Sequence, residues 1–159
     1  MKIIVFSDSH RVVEPMIGAA RLEKPDFALH LGDMEEDAEA LARACPTAFL
    51  YNVCGNCDYV GRAPERLNIV LGGKRIFAAH GHTYHVKYGL GALVNTAMVA
   101  GADILLFGHT HARYHEELEG LIVANPGTVG GIRSAEKSYG LITIENGILR
   151  YENKIIGDM

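Results

Sequence analysis

Short apolar runs that each stop at a polar cluster set the rhythm of the first two thirds of the chain. Lys2 to Ser7 (KIIVFS) is brief and rich in β-branched residues, which predicts a buried strand. Residues 15 to 24 instead place Met16, Ile17, Ala20 and Leu22 broadly on one helical face. Pro15 suits the first turn of that helix, where its missing amide proton costs nothing, and Pro25 closes the segment. Phe27 to Leu31 predicts a second strand. Glu36 to Ala44 predicts a helix whose acidic start complements the helix dipole and which ends before Pro46; Ala48 to Val53 predicts a third strand.

Residues 67 to 71 and 75 to 79 flank Gly72-Gly73 and predict a hairpin, because a tight hairpin turn favours residues that tolerate positive φ. A helix over about 86 to 100 follows, then the apolar strand Ile104 to Phe107. The stretch from 113 to 156 reads as antiparallel strands with turns at Glu119-Gly120 and Asn146-Gly147. An alternating β-α first half and a β-rich second half predict an α/β domain with two packed sheets. No repeat, linker or compositional shift divides residues 1–159, so one domain is expected.

Composition narrows the function classes. Apolar residues make up 48% and charged residues 21%, as in ordinary folded proteins, and the net charge of -4 offers no basic footprint for nucleic acid or an anionic membrane surface. The apolar run at the N-terminus stops at Ser7-Asp8, too short for a secretory signal, and LGALVNTAMVAGADILLF is broken by Asn95, Gly101 and Asp103, so it reads as a helix and a strand rather than a membrane span. Three cysteines without an export signal point to thiols in a reducing cytoplasm.

The candidate chemistry lies where the apolar runs end: Asp8-Ser-His10, Gly32-Asp33, Gly55-Asn56, His80-Gly-His82 and Gly108-His109-Thr-His111. Open α/β sheets bind ligands beyond the carboxyl ends of their strands, so five such ends make a recognisable site layout. Asp8 and His10, like His109 and His111, are two apart and can face the same way on an extended chain. Adjacent glycines permit positive φ and remove bulk. Two carboxylates, one amide oxygen and four imidazoles form a nitrogen and oxygen donor set suited to Mn²⁺, Fe²⁺, Co²⁺, Ni²⁺ or Zn²⁺ rather than Ca²⁺. Seven donors exceed one open site and suit two ions sharing a carboxylate. Two divalent ions less the two aspartate charges leave positive charge for a hydroxide and a phosphate ester.

The order D-x-H, G-D, G-N-x-D, H-G-H and G-H-T-H resembles the calcineurin-like metallophosphoesterases. The short length, the GNCD variant at 55–58 and Asn125-Pro-Gly-Thr are similar to their small prokaryotic YfcE-like phosphodiesterase branch. The resemblance implies a four-layer α/β/β/α sandwich of two mixed sheets flanked by helices. By position it also implies one metal on Asp8, His10, Asp33 and His111 and another on Asp33, Asn56, His80 and His109, with Asp33 bridging. Manganese leads as the metal, with Ni, Co, Fe or Zn as others. The implied activity is phosphodiester hydrolysis by hydroxide bridging a dinuclear centre, acting on a small phosphoester. Many relatives carry His where Cys57 stands, as proton donor to the leaving group. An ordinary thiol, with a pKa of ~8.5, is a poorer acid, which favours diesters or activated esters and leaves His82 as a substitute donor. Asp33 and Asn56 are thus catalytic candidates, with Asp58 of the same motif beside them.

Other readings stand next to these. Cys54 and Cys57 form a C-x-x-C, but structural zinc needs further ligands that Cys45 alone does not supply, and a redox pair usually opens a helix. His82 and His85 are divided between site contact and plain surface. His30 and His115 read as structural. Arg113 and Arg133 are phosphate contacts or surface ion pairs, and Glu35-Glu36-Asp37 is a solvated helix start unless one of them braces a ligand. Rival functions are a nucleotide or protein phosphomonoesterase on the same site, and a non-catalytic scaffold of the same fold such as relatives in protein-sorting complexes. No specific nucleic acid or membrane partner is expected, and a homo-oligomer stays open.

Overall fold

The computed structural model describes residues 1–131 and 136–157. Arg133 lies outside the described residues. The first strand, β1 (Lys2–Phe6), leads through helix α1 (Glu14–Glu23) to β2 (Phe27–His30), and α2 (Glu35–Ala44) leads to β3 (Phe49–Asn52). The hairpin β4 (Arg66–Leu71) and β5 (Lys74–Ala79) follows, then a 3₁₀ turn at His82–Tyr84, helix α3 (Gly91–Val99) and β6 (Ile104–Phe107). Two further hairpins close the chain: β7 (Arg113–Leu118) with β8 (Leu121–Pro126), and β9 (Ser138–Glu145) with β10 (Ile148–Ile155).

The strands form two five-stranded sheets, ordered β10-β9-β1-β2-β3 and β4-β5-β6-β8-β7. Alternation along β1 explains why the sequence shows an unbroken apolar run. Ile3 and Val5 point between the sheets, into a core with Ile76, Ile104, Leu106 and Ile142. Ile4 and Phe6 point outward, against Met16, Ala19 and Ala20 of α1 and Leu41 of α2. A strand covered on both faces has no polar side to show. On the far side, Leu93 and Ala97 of α3 pack against Phe77, Leu105 and Phe107. The layers are therefore α/β/β/α, and both sheets are mixed. No helix among the described residues is long and apolar enough to cross a membrane.

The glycine hairpin forms as expected, with Gly72 and Gly73 at φ 56° and 76°. So do the late turns, where Glu119, Gly120, Asn146 and Gly147 all have positive φ. The late hairpins nevertheless separate into different sheets, and β8 lies parallel to β6. Alternating patterns reveal a hairpin but not which sheet receives it. Helix α3 also begins later than the sequence suggests, because the chain turns at His82–Tyr84 and passes through Gly89 at φ 150° before becoming helical.

The decisive consequence is directional. β1, β2 and β3 run parallel, as do β5 and β6, so their carboxyl ends deliver five loops to one edge of the sandwich.

Candidate metal centre

Asp8 and His10 follow β1, Asp33 follows β2, Asn56 follows β3, His80 follows β5, and His109 and His111 follow β6. One ligand atom from each of Asp8, His10, Asp33 and His111 can be chosen so that all lie within 4.8 Å of one another. His111 Nε2 stands 3.1 Å from Asp8 Oδ1, and His10 Nε2 stands 3.7 Å from Asp33 Oδ2. Around the other oxygen of Asp33, His80 Nε2 approaches to 3.5 Å of Oδ1 and to 3.1 Å of Asn56 Oδ1. The His80 and His109 ring centroids are 5.0 Å apart. Asp33 thus stands between two donor groups. All seven expected side chains are brought together.

The hydrogen bonds leave particular lone pairs over. Asp8 Oδ2 accepts from the Ser7 hydroxyl and from the His109 amide at 3.1 Å, whereas its Oδ1 is buried with no aligned donor. His10 Nε2 is likewise buried and unpartnered. His80 Nδ1–H donates to the Leu31 carbonyl at 2.7 Å, which fixes the ring with Nε2 toward the Asp33 and Asn56 oxygens. Buried acceptors facing one another are costly unless something positive satisfies them. This set fits divalent cations.

Charge is arranged accordingly. Burial opposes ionisation of Asp8, but His111, His80 and the Ser7 hydroxyl outweigh it and hold the carboxyl below its ordinary value. Asp8 in turn raises His111. Burial and the neighbouring His80 push His109 down to about 4 and also lower His82. A cation therefore competes with a proton at His111 and meets a ready lone pair at His109.

The local backbone is unusual. Asp8, His10, Arg11, Asp33, Met34, His109 and His111 all have φ between 44° and 74°. The sequence assigns positive φ to the glycines beside the donors, but several donors adopt it themselves. That conformation costs side-chain-bearing residues energy and persists only when the surroundings enforce it. Glycine acts more through close approach. A Cβ on Gly55 would overlap the Asp33 carboxylate, and one on Gly108 would overlap the Ser7 hydroxyl.

The enforcing residues are largely those that the sequence did not single out. Asp37, buried on the inner side of α2, accepts from the Ser9 hydroxyl and the Arg11 amide, both at 2.7 Å. The Ser9 oxygen also meets His30 Nε2 at 2.9 Å, so His30 is structural as expected; burial lowers it to about 4 and keeps it neutral. Asn125, fully buried, donates to the Gly108 carbonyl and the Thr110 hydroxyl, while Thr128 donates to the Asp8 carbonyl. The acidic run is thus not merely solvated: Asp37 braces the Asp8 loop, and Glu35 accepts from the Arg62 amide.

Asp58 stands behind the donors rather than among them. Its carboxylate accepts from the amides of Asp33, Met34, Glu35 and Gly55 at 2.7–3.0 Å. Both oxygens are occupied at the Asp33 turn and the start of α2, a placement suited to positioning Asp33. Cys57 contributes its amide, which donates to Asp33 Oδ1 at 2.9 Å. Burial, then the Asp33 charge, pushes its thiol up to about 11. All three cysteines are free thiols, and none belongs to the donor cluster found among the described residues. His82 lies beside the centre, its ring 5.3 Å from that of His80. His85 and His115 are exposed, and Arg113 pairs with Glu136 at 2.8 Å.

Residues 1–147 match the calcineurin-like phosphoesterase superfamily domain, and the chain belongs to that family. It is 33% identical over 151 residues to the "Probable metallophosphoesterase YsnB" of Bacillus subtilis, covering 92% of this chain and 86% of that one. A Streptococcus pneumoniae protein described as a predicted phosphoesterase has the same fold at TM-score 0.81 and 26% identity, over 97% of this chain and 88% of that one. At 21% identity, an archaeal phosphodiesterase shares the fold with TM-score 0.78 over 97% of this chain and all of that one. Vps29 of Entamoeba histolytica, crystallised with Zn²⁺, does so with TM-score 0.78 over 99% of this chain and all of that one.

Replacing a residue that orients a ligand without touching metal typically weakens metal binding by 10–100-fold. Asp58→Asn is expected to lower Mn²⁺ affinity by about that much, measured by calorimetry on folded protein. Wild-type affinity in this variant would remove Asp58 from the positioning role.

Proposed function

We propose that the chain is a metal-dependent phosphodiesterase. The observation that carries the proposal is the pair of donor groups meeting at Asp33: Asp8, His10 and His111 on one side, Asn56, His80 and His109 on the other. Two divalent transition-metal ions, Mn²⁺ foremost, would be held there, and when bound they supply the hydroxide nucleophile and the positive charge that in-line attack on phosphorus requires. Asp33 sets the spacing of the two groups, and the Cys57 amide and Asp58 hold Asp33 in place. His80 is oriented from behind by the Leu31 carbonyl. No side-chain nucleophile is needed.

Selection of the ester follows from the poor supply of protons. The Cys57 thiol, at about 11, gives up its proton reluctantly, and His82, held low by burial, is mostly neutral. A leaving group that departs without help, as from an aryl diester, suits such a site better than a simple alkyl monoester. Kinship with phosphodiesterases supports the same choice. A phosphomonoesterase on the same residues is the second reading. A scaffold without activity is the third, and the complete donor set speaks against it.

Hydrolysis of bis(p-nitrophenyl) phosphate is expected to depend on added Mn²⁺ and to stop with chelator. Asp33→Asn is expected to lower kcat/KM by several orders of magnitude, because both donor groups lose their shared carboxylate. Near-wild-type turnover in that variant contradicts a shared ligand, and metal binding without turnover in the wild type favours the scaffold. Cys57→His is expected to raise monoester hydrolysis relative to diester hydrolysis; an unchanged ratio of the two kcat/KM values discards the proton-supply account.

A further inference from the structure

Next to the donor cluster, lined by the chain neighbours of His10, Asp33 and Asn56, lies an open cleft of about 720 Å³ between the start of α2 and the loop that follows Asn56. Cys57 joins the two: its amide holds Asp33, and the same residue lines the cleft. Met34, next to Asp33, lines it as well. Tyr59 and Val60 line the cleft while each is 91% exposed. Neither contributes to a core cluster, so folding does not account for two adjacent large apolar side chains held in water at this place.

The charges identify what the cleft is not. Arg11 and Arg62 line it with guanidinium groups that make no ion pair among the described residues. Glu35, Glu36, Glu39 and Asp58 also line it, four carboxylates against two guanidinium groups, so there is no excess of positive charge to capture a second phosphate. What remains distinctive is a phenol ring, an isopropyl group and a thioether, one to four residues along the chain from the donors Asp33 and Asn56, with two arginine side chains on the same lining.

We propose that this cleft is the subsite for one ester arm of the substrate and selects a flat aromatic group there, with Tyr59 and Val60 as the specificity-determining residues. The inference rests on the phosphoesterase reading and adds the chemical class of the arm. An aryl or nucleoside-like ring would lie against Tyr59, while the anionic phosphodiester core stays at the donor cluster.

Diphenylphosphinate and dimethylphosphinate provide the test. Both carry the single negative charge of a phosphodiester, both lack a hydrolysable ester bond, and they differ only in their arms. Calorimetry on the Mn²⁺-loaded protein is expected to give a Kd for the diphenyl compound about three- to tenfold lower than for the dimethyl compound. Tyr59→Ala/Val60→Ala, at positions too exposed to unsettle the fold, is expected to reduce that preference to less than about twofold. Equal binding of both compounds by the wild type, or a preference that survives the double substitution, overturns the subsite. Failure of both compounds to bind overturns the phosphoesterase reading and the subsite with it.

Discussion

Asp8 and Asp33 are almost fully buried, and both face the same imidazole, His10, at 4.0 and 3.7 Å. Two carboxylates withdrawn from water and converging on one place repel one another, and desolvation adds to that cost. Neighbouring lone pairs compound the problem, since Asp8 Oδ1 and His10 Nε2 have no hydrogen-bond partner. A fold maintains such an arrangement where it has a use. Much of the local structure around the strand ends serves to hold these acceptors together: left-handed backbone at seven residues, amides aimed at Asp58, and a hydroxyl chain from His30 through Ser9 to Asp37.

The sandwich makes this possible through parallel strands. Parallel pairing sends chain ends in one direction, so donors spread from residue 8 to residue 111 arrive at one edge. The core between the sheets then fixes their distance with the rigidity of packed Ile, Leu and Val side chains. Cys57 belongs to this frame through its amide, which donates to Asp33 Oδ1, and through its Sγ, which accepts from Asn56 Nδ2 at 3.6 Å.

The sequence made the strands and their terminal donors legible because β1, β2 and β6 are buried on both faces, and a polar residue after such a run has a reason to be there. The glycine turn at 72–73 was equally readable, since its conformation is local. Less could be read where meaning depends on contact between distant segments. Asp37 looks like any acidic residue opening a helix, and only its approach to Ser9 and Arg11 reveals a brace. Its position one residue before Ala38 and four before Leu41, both inward-facing, was the available signal. Asp58 shares a motif with Asn56 and so invited a similar role, but four amides claim it. Asn125 and Thr128 tie the first donor loop to the last across more than 100 residues, which no spacing rule reports.

Anomalous diffraction at the manganese edge from crystals grown with Mn²⁺ tests the central claim directly. Two peaks are predicted, about 3.5–4 Å apart, with the Asp33 carboxylate in contact with both. A single peak, or a pair that leaves Asp33 bound to only one ion, would contradict a shared dinuclear centre.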